Sequence, residues 1–390
     1  MKSGLALLVC GGALALAFAA SAQKTVSLQG GDAPKDAPKV AAVDPATVQG
    51  LPSARDYRPP EGIVFKASDF VSENVRLTAQ WFYAAGNEGK KLPTVVMAQG
   101  WGATAATFRQ DAVDLARAGY LVMLFDYRGW GDSDGRVTRS GEMRELRGYI
   151  DPWEQAEDWF NAISYAVSDP MVDPGRIGVR GSDLSGGHVI YLAAHEPRIK
   201  ALVSQVTRGD LRPSRPYQPD PAKLIVEANA AASAIAAGQA SYPADRAHAV
   251  GDLVGAPVGN KLLRWEPVHD ADDVEAPALF VLAEKEELFS NPHNGQLACE
   301  RVQGPRKMVI LPKITHDGVY GAERERAITV AIDWFDRYLK PPGAPTRVPI
   351  NRKEPARGEC NPPPLPPAGE EPKDGSGQGH KSQATSGRFN

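Results

Sequence analysis

Residues 177–187, IGVRGSDLSGG, decide the fold of this 390-residue chain. The apolar run at the start of the stretch indicates a buried strand, which is followed by a tight turn and a helical segment. Gly181 and Ser185 are small where the backbone must pass closely, and the two glycines after Ser185 let the helix lie near the strand. The pattern matches a nucleophile elbow, in which the reactive residue stands two positions after the first glycine. In this register the nucleophile position holds Asp183.

Other short apolar runs along the chain also end in turn residues. Continuous runs of this length are typical of strands buried on both faces of a parallel sheet, and helical segments alternate with them. This alternation predicts a doubly wound, mostly parallel α/β sheet, and residues 63–70 and 75–83 are predicted to be antiparallel edge strands. The remaining runs lie at 94–98, 121–125, 201–206, 278–282 and 307–311, and the helical segments at 107–118, 152–167, 185–195 and 323–339.

Two further strand ends carry reactive side chains. Sites in open parallel sheets form at the carboxyl ends of the strands. Three glutamates follow the run at 278–282, and Glu286 has the spacing usually found for an acid that orients a catalytic histidine. His316 lies in a loop just past the last strand, a placement that no other of the seven histidines has. We therefore expect Asp183, Glu286 and His316 to form a catalytic triad.

These motifs together make the chain similar to the α/β-hydrolase superfamily. Within it, the chain resembles the dienelactone-hydrolase-like and the serine-esterase or peptidase-like branches. The resemblance implies a mostly parallel eight-stranded sheet flanked by helices, with a triad of nucleophile, acid and histidine. The chain departs from the family at Gln99, where a histidine is usual, and at Asp183, where these branches carry serine or cysteine. The resembling segments are QGWG, LFDYRGWGDSDG, VDPGRIGVRGSDLSGGHV, EKEELF, ITHDGVYG and AITVAIDWFDRYLK, within residues 63–340.

An aspartate at the elbow changes the first chemical step. A serine must lose a proton before it attacks, whereas Asp183 is ionised at neutral pH and can attack directly, forming an ester of the enzyme. His316 would then activate the water that cleaves this ester. We expect the backbone N–H groups of Trp101 and Leu184 to stabilise the resulting oxyanion. This chemistry looks like that of haloalkane dehalogenases and epoxide hydrolases, which carry aspartate at the same elbow.

The predicted function is hydrolysis of a small to medium carboxylic ester, with two alternatives. One is hydrolysis of an epoxide or haloalkane, and the other is a non-catalytic binding protein on the same scaffold. Ser182 or Ser185 would be the nucleophile in a different register. Asp126 and Arg128 are expected to shape a loop, and His188 to have a structural role. The candidates for stabilising a leaving group, by residue type only, are Trp101, Trp265, Tyr217 and Tyr242.

Composition excludes several classes of partner. The 44 basic and 47 acidic residues give a formal net charge of −3, which offers no electrostatic attraction for nucleic acid or an anionic membrane. The three cysteines form no CxxC pair and no phosphate-binding loop is present, so we expect no metal and no organic cofactor. The expected partner is a small-molecule substrate. No feature of the sequence predicts an oligomeric state.

The start of the chain has the pattern of a secretory signal peptide. A basic residue precedes an apolar stretch, and Ala20-Ser21-Ala22 provides a small-x-small cleavage site. We therefore predict that residues 1–22 are removed, that no stable membrane span remains, and that the protein is periplasmic or secreted. Cys299 and Cys360 then remain, either as a disulfide or as two free thiols.

The rest of the chain divides by composition. Residues 23–60 are rich in proline and alanine and are predicted to be a tether. Residues 61–340 are predicted to be the hydrolase domain, with a helical lid inserted at about 208–276. Residues 341–390 combine dense proline and glycine with few apolar side chains, which predicts a disordered tail.

Overall fold

Eight strands form one sheet in the computed structural model, which describes residues 51–138, 144–214, 217–218, 220–240, 242, 256–342, 344 and 360. The predicted signal peptide and most of the predicted tether and tail lie outside these residues. None of the described helices is long and apolar enough to cross a lipid bilayer. The strands are β1 (Ile63–Ser72), β2 (Val75–Ala84), β3 (Leu92–Ala98), β4 (Leu121–Phe125), β5 (Val172–Ser182), β6 (Ile199–Gln205), β7 (Ala278–Ala283) and β8 (Arg306–Leu311).

The strand order is β1-β2-β4-β3-β5-β6-β7-β8. β2 pairs antiparallel with both β1 and β4, and all other neighbours in the sheet are parallel. Every residue of β3, β4 and β7 is buried. The continuous apolar runs thus correspond to strands covered on both faces. The structure confirms the predicted mostly parallel, eight-stranded sheet.

Helices cover both faces of this sheet. One apolar cluster packs α2 and α3 against it, and a second packs α1 and α7 against the other face. The N-terminus of α2 is capped by Asp151, whose side chain accepts hydrogen bonds from the backbone N–H groups of Trp153 and Glu154. Pro152 occupies the first helical position. The helices are α1 (Arg109–Arg117), α2 (Pro152–Ser168), α3 (Leu184–His195), α4 (Pro221–Ala236), α5 (Gly259–Leu262), α6 (Gly295–Arg301) and α7 (Arg324–Leu339).

Several shorter elements complete the described chain. Two-residue strands pair Val137–Thr138 with Arg144–Glu145, and Ala256–Pro257 with Tyr149–Ile150. The 3-10 helices are Ala105–Phe108, Asp270–Asp273, Asn291–His293 and His316–Val319. In the region predicted to be a lid, α4 has no buried residue. The lid assignment itself stays a prediction.

The end of the predicted tether packs onto the domain. Ala54 is buried, and its N–H donates to the Asp132 carboxylate. Arg109 donates to the Pro52 carbonyl oxygen, and its guanidinium carbon lies 4.6 Å from the ring centre of Tyr57. Contacts of Ala54 and Tyr57 therefore hold residues 51–60 against the domain, although the proline-rich composition of this stretch suggested a loose arm.

A disulfide joins Cys299 of α6 to Cys360. Cys360 belongs to the stretch predicted to be a disordered tail, and it contacts the apolar cluster beneath α2 and α3. Of the two states that the sequence left open for these cysteines, the structure has the bonded one. The bond closes a loop with a sequence separation of 61 residues.

Candidate active site

Asp183 is the single residue between β5 and α3. Its φ of 56° and ψ of −118° are unusual for a residue with a side chain, and such backbone strain is typical of a nucleophile elbow. The turn is held by hydrogen bonds at both ends: the Asp183 N–H donates to Gln205, and its carbonyl oxygen accepts from Gly186 and Arg208 at 2.9 and 3.0 Å. A Cβ on Gly181 would lie 2.0 Å from the Ser185 carbonyl oxygen, so the turn requires glycine there.

The QGWG loop contacts the Asp183 carboxylate. The Trp101 N–H, one of the two predicted oxyanion donors, donates to Asp183 Oδ2 at 2.8 Å. Gly100 permits this approach, because a Cβ there would lie 2.8 Å from Asp183 Cβ and 2.9 Å from Oδ2. The Leu184 N–H, the second predicted donor, makes no hydrogen bond to this carboxylate within the described ranges. Gln99 is buried, and neither end of its amide has a partner among the described residues.

His316 is oriented by the glutamate that the sequence selected. Its Nδ1 lies 3.0 Å from both carboxylate oxygens of Glu286, so Nδ1–H donates and Nε2 is left for proton transfer. The other two glutamates hold the histidine loop: Glu287 accepts from the His316 backbone N–H, and Glu284 accepts from that of Lys313. The glutamates that follow β7 therefore both orient the His316 imidazole and hold the backbone of the loop that carries it.

Charges around the imidazole favour its protonated form. Burial lowers the pKa of His316. The hydrogen bond to Glu286 and the negative charges of Glu286, Asp183 and Asp317 together raise it by more, so the net pKa is above its usual value. Asp183 therefore lies within electrostatic reach of the imidazole. Among the described residues the two side chains share no direct hydrogen bond.

Arg208 lies at the same site and was not predicted. Its guanidinium carbon is 5.1 Å from the ring centre of Trp101 and 5.8 Å from that of Phe289. Burial lowers the pKa of Arg208, while the charges of Asp183 and Glu286 raise it. One signal could have identified it: the residue follows β6 at the carboxyl edge of the sheet, where the other reactive side chains lie.

The two serines weighed as nucleophiles bond elsewhere. The Ser185 hydroxyl donates to the Ala98 carbonyl oxygen at 2.7 Å. The Ser182 hydroxyl lies 2.7 Å from the hydroxyl of Tyr320, whose ring centre is 5.9 Å from that of His316. Neither serine hydroxyl bonds to His316 in the part of the chain that is described.

The leaving-group candidates separate into two groups. Trp265 packs against α3, with its ring centre 5.1 Å from that of His188. The Tyr242 hydroxyl donates to Asp151 at the start of α2. Trp101 is at the site, and Tyr217 is near enough for the charge of Glu286 to raise its pKa, after the larger effect of burial.

Comparisons with known proteins agree with this architecture. Residues 73–252 match the X-Pro dipeptidyl-peptidase (S15) family. An uncharacterized 31.7 kDa protein from the traX-finO intergenic region of Escherichia coli is 26% identical over 294 residues, which cover 69% of this chain and 98% of that protein. The thiohydrolase aneE of Aspergillus aculeatus is 30% identical over 151 residues, or 38% of this chain and 45% of that protein.

A solved structure has the same fold. The α/β hydrolase GrgF from Penicillium sp. sh18 superimposes with a TM-score of 0.56 and 20% identity, covering 71% of this chain and 99% of that one. The strand order, the strained elbow at the end of β5 and the acid and histidine loops at neighbouring strand ends agree with this likeness. The chain has the α/β-hydrolase fold.

Proposed function

We propose that this enzyme hydrolyses carboxylic esters, including thioesters, of small to medium size through a covalent intermediate on Asp183. His316 would transfer protons, and Glu286 would orient it. The observation that carries the proposal is the 2.8 Å hydrogen bond from the Trp101 N–H to Asp183 Oδ2. It directs a donor at the oxygen that becomes negative when a covalent bond on Asp183 is hydrolysed, and it leaves Oδ1 as the attacking atom.

In the first step, Asp183 Oδ1 attacks the acyl carbon of the ester. The carbon–oxygen bond to the alcohol breaks, and the alcohol leaves with the proton of the His316 imidazolium. The raised pKa of His316 supports this role, because it keeps a larger fraction of the ring protonated at neutral pH. The product is an acyl–aspartyl anhydride on Asp183, together with a neutral imidazole.

In the second step, the neutral His316 takes a proton from water, and the hydroxide attacks Cγ of Asp183. Oδ2 carries the negative charge of the tetrahedral intermediate, beside the Trp101 N–H. When the intermediate collapses, the substrate's carboxylate leaves and the Asp183 carboxyl group then loses its proton. The sum of both steps is one ester and one water converted to one carboxylic acid and one alcohol.

Trapping the intermediate tests this scheme. In His316→Gln the second step has no base, whereas a nitrophenyl ester can still acylate Asp183, because its leaving group needs no proton. Intact-mass spectrometry after addition of that ester is expected to detect an acylated protein, with the added mass on the peptide that contains Asp183. A single turnover of the unchanged enzyme in H₂¹⁸O is expected to place the isotope in Asp183. Isotope found only in the released acid, without any adduct, would contradict attack on Asp183.

A second candidate function is hydrolysis at a saturated carbon of an epoxide or haloalkane. The same contact between Trp101 and Asp183 favours it, since an alkyl ester of Asp183 would be hydrolysed at the same Cγ. The buried indole Nε1 of Trp101, which has no partner among the described residues, is a suitable donor to a leaving group. A panel of nitrophenyl esters, epoxides and haloalkanes separates the two functions, and turnover of none by folded protein would indicate the binding-protein alternative.

The nucleophile itself distinguishes these chemistries. Asp183→Ser places a hydroxyl at the elbow beside His316, which is the arrangement of a serine esterase. Ester hydrolysis that survives this change would indicate that the site accepts either nucleophile. Complete loss would indicate that turnover requires a carboxylate. Membership of the dienelactone-hydrolase-like branch stays a prediction.

We also propose that the protein acts outside the cytoplasm. The disulfide between Cys299 and Cys360 supports this location, because such bonds persist mainly in oxidising compartments. The expectation that residues 1–22 are a signal peptide supports it independently. Fractionation of cells that express the full chain, followed by N-terminal sequencing of the exported form, is expected to give a mature protein that begins at Gln23. An uncleaved protein in the cytoplasmic fraction would contradict the proposal.

A further inference from the structure

We propose that Arg208 selects substrates that carry a carboxylate, so that the enzyme prefers anionic esters to neutral ones of the same size. The inference rests on the proposed function and names the substrate class of the same site. Arg208 is half-buried beside the nucleophile, and its backbone N–H donates to the carbonyl oxygen of Asp183. The backbone that carries the Arg208 side chain is therefore hydrogen-bonded directly to Asp183, the proposed nucleophile.

The guanidinium of Arg208 has no anionic partner in the described part of the protein. Within that part it forms no ion pair within 4.0 Å and no side-chain hydrogen bond. Neither of the two carboxylates whose charges reach it pairs with it directly: Asp183 Oδ2 accepts from the Trp101 N–H, and Glu286 accepts from His316. A half-buried cation without an anion is costly, and the rings of Trp101 and Phe289 offset only part of that cost. A carboxylate on the substrate would supply the missing partner.

The loop that carries Arg208 is fixed before any ligand binds. The buried Asn294 accepts hydrogen bonds from the backbone N–H groups of Gly209 and Asp210, both at 2.9 Å, and donates to the Ser290 carbonyl oxygen. On the other side, a Cβ on Gly187 would lie 2.4 Å from the Arg208 carbonyl oxygen, so the elbow helix lies directly against this backbone. A preorganised guanidinium loses little freedom when it binds, and its planar fork matches a carboxylate.

Charge gives a physical reason for this arrangement. The proposed nucleophile is an anion, and it repels an anionic substrate. A cation beside Asp183 offsets that repulsion and holds the substrate's carboxylate away from the reacting atoms. The neighbouring Arg212 is the natural contrast, because its guanidinium pairs with Asp210 at 2.7 Å and with Glu266 at 2.9 Å.

The test compares matched acids and methyl esters. One pair, 4-acetoxybenzoate and its methyl ester, carries the carboxylate on the leaving group, and the other, 4-nitrophenyl hydrogen adipate and its methyl ester, carries it on the acyl group. We expect kcat/KM to favour the acid in at least one pair by about ten- to hundredfold, as for a charge-assisted hydrogen bond. Arg208→Gln is expected to bring that ratio close to one, mainly through KM. Arg208→Lys should keep part of it, and the control Arg212→Gln all of it.

A binding measurement separates this inference from the proposed function. Calorimetry is expected to detect benzoate or adipate binding to the unchanged protein and to His316→Gln, and no binding to Arg208→Gln with an unchanged circular dichroism spectrum. Arg208-dependent binding without turnover of any ester would contradict the proposed function and leave the anion site standing. Ester turnover with equal acid-to-methyl-ester ratios in the unchanged protein and Arg208→Gln, together with no Arg208-dependent binding, would overturn the inference.

Discussion

Two arginines beside carboxylates, the buried Arg128 and the half-buried Arg208, have completely different surroundings. Arg128 donates through Nε and Nη2 to Asp158 at 2.9 and 2.6 Å, and further to Glu73 and Ser72 at 3.0 and 3.1 Å. Arg208, beside Asp183, donates from its side chain to none of the described residues. The residue types are the same in both regions, so pairing rather than composition distinguishes a structural cluster from a candidate site.

Asp126 shows the same contrast for carboxylates. It is fully buried, and burial raises its pKa to about 6, but both its oxygens accept backbone hydrogen bonds, from Ala105 at 2.7 Å and Asp132 at 3.3 Å. These bonds agree with the loop-shaping role expected from the sequence. Asp183, in a strained backbone conformation, accepts one backbone hydrogen bond on Oδ2. Burial of a carboxyl group therefore indicates reactivity here only where the backbone leaves one of its oxygens unpaired.

The largest expected effect comes from replacing the carboxylate of Asp183, whose Oδ1 is the proposed attacking atom. Asp183→Asn keeps an acceptor for the Trp101 N–H but loses the attacking atom, so kcat is expected to fall by about 10⁴-fold or more. The free energy of unfolding should change little, because the amide oxygen keeps the hydrogen bond from the Trp101 N–H. Steady-state kinetics and urea denaturation on one preparation check both expectations. A variant with near-normal turnover would show that the catalytic centre lies elsewhere.

The ion pair of Arg128 and Asp158 should show the opposite response, a loss of stability without a loss of activity. Asp158→Ala leaves the Arg128 guanidinium buried without its main anion, and we expect the free energy of unfolding to fall by about 3–5 kcal/mol. Turnover per folded molecule should be preserved. The matched control is Asp173→Ala, which breaks a more exposed pair with Arg176 and is expected to cost about 1 kcal/mol or less. Equal losses in the two variants would contradict the distinction drawn from pairing.

The elements that could be predicted share one property: neighbouring residues specify them. The parallel strands follow from continuous apolar runs, and the elbow at Asp183 follows from small residues within a single turn. Glu286 and His316 could be placed because strand ends meet at one edge of a parallel sheet. Their proximity therefore followed from topology, before any distance was known.

The features that were missed depend on contacts between distant segments. Arg208 matters because Trp101 and Phe289 stack on it, and neither residue is near it in the sequence. The contacts of Trp265 with α3 and of Tyr242 with Asp151 could not be predicted either, because residue type does not tell against which helix a ring packs.

A smaller effect is expected at the disulfide, which contributes mainly by constraining the unfolded chain. The double variant Cys299→Ser, Cys360→Ser is expected to lower the free energy of unfolding by about 2–4 kcal/mol, with activity retained at temperatures where it stays folded. A reducing agent should produce the same loss in the unchanged protein and none in the double variant. Two titratable thiols in the unreduced, denatured protein would show that the bond does not form.

The smallest expected effect is a displacement of a pH profile, and it tests the electrostatics of the pair formed by Glu286 and His316. Because the pKa of His316 is raised, its neutral form, which the second step needs, accumulates only as the pH rises above the usual value of about 6.5. The acidic limb of kcat should therefore lie above that value when the second step limits turnover. Glu286→Gln keeps a hydrogen-bond acceptor but removes the charge, so the acidic limb of the kcat profile should move to lower pH.

The raised pKa of His316 also determines how stability depends on pH. A pKa that is higher in the folded than in the unfolded state stabilises the fold at pH values below the unfolded-state pKa, and this contribution is lost as the pH rises through the folded-state pKa. In Glu286→Gln, the unfolding free energy should consequently depend less on pH across this window. An unchanged limb with an unchanged slope would mean that Glu286 does not control the protonation of His316.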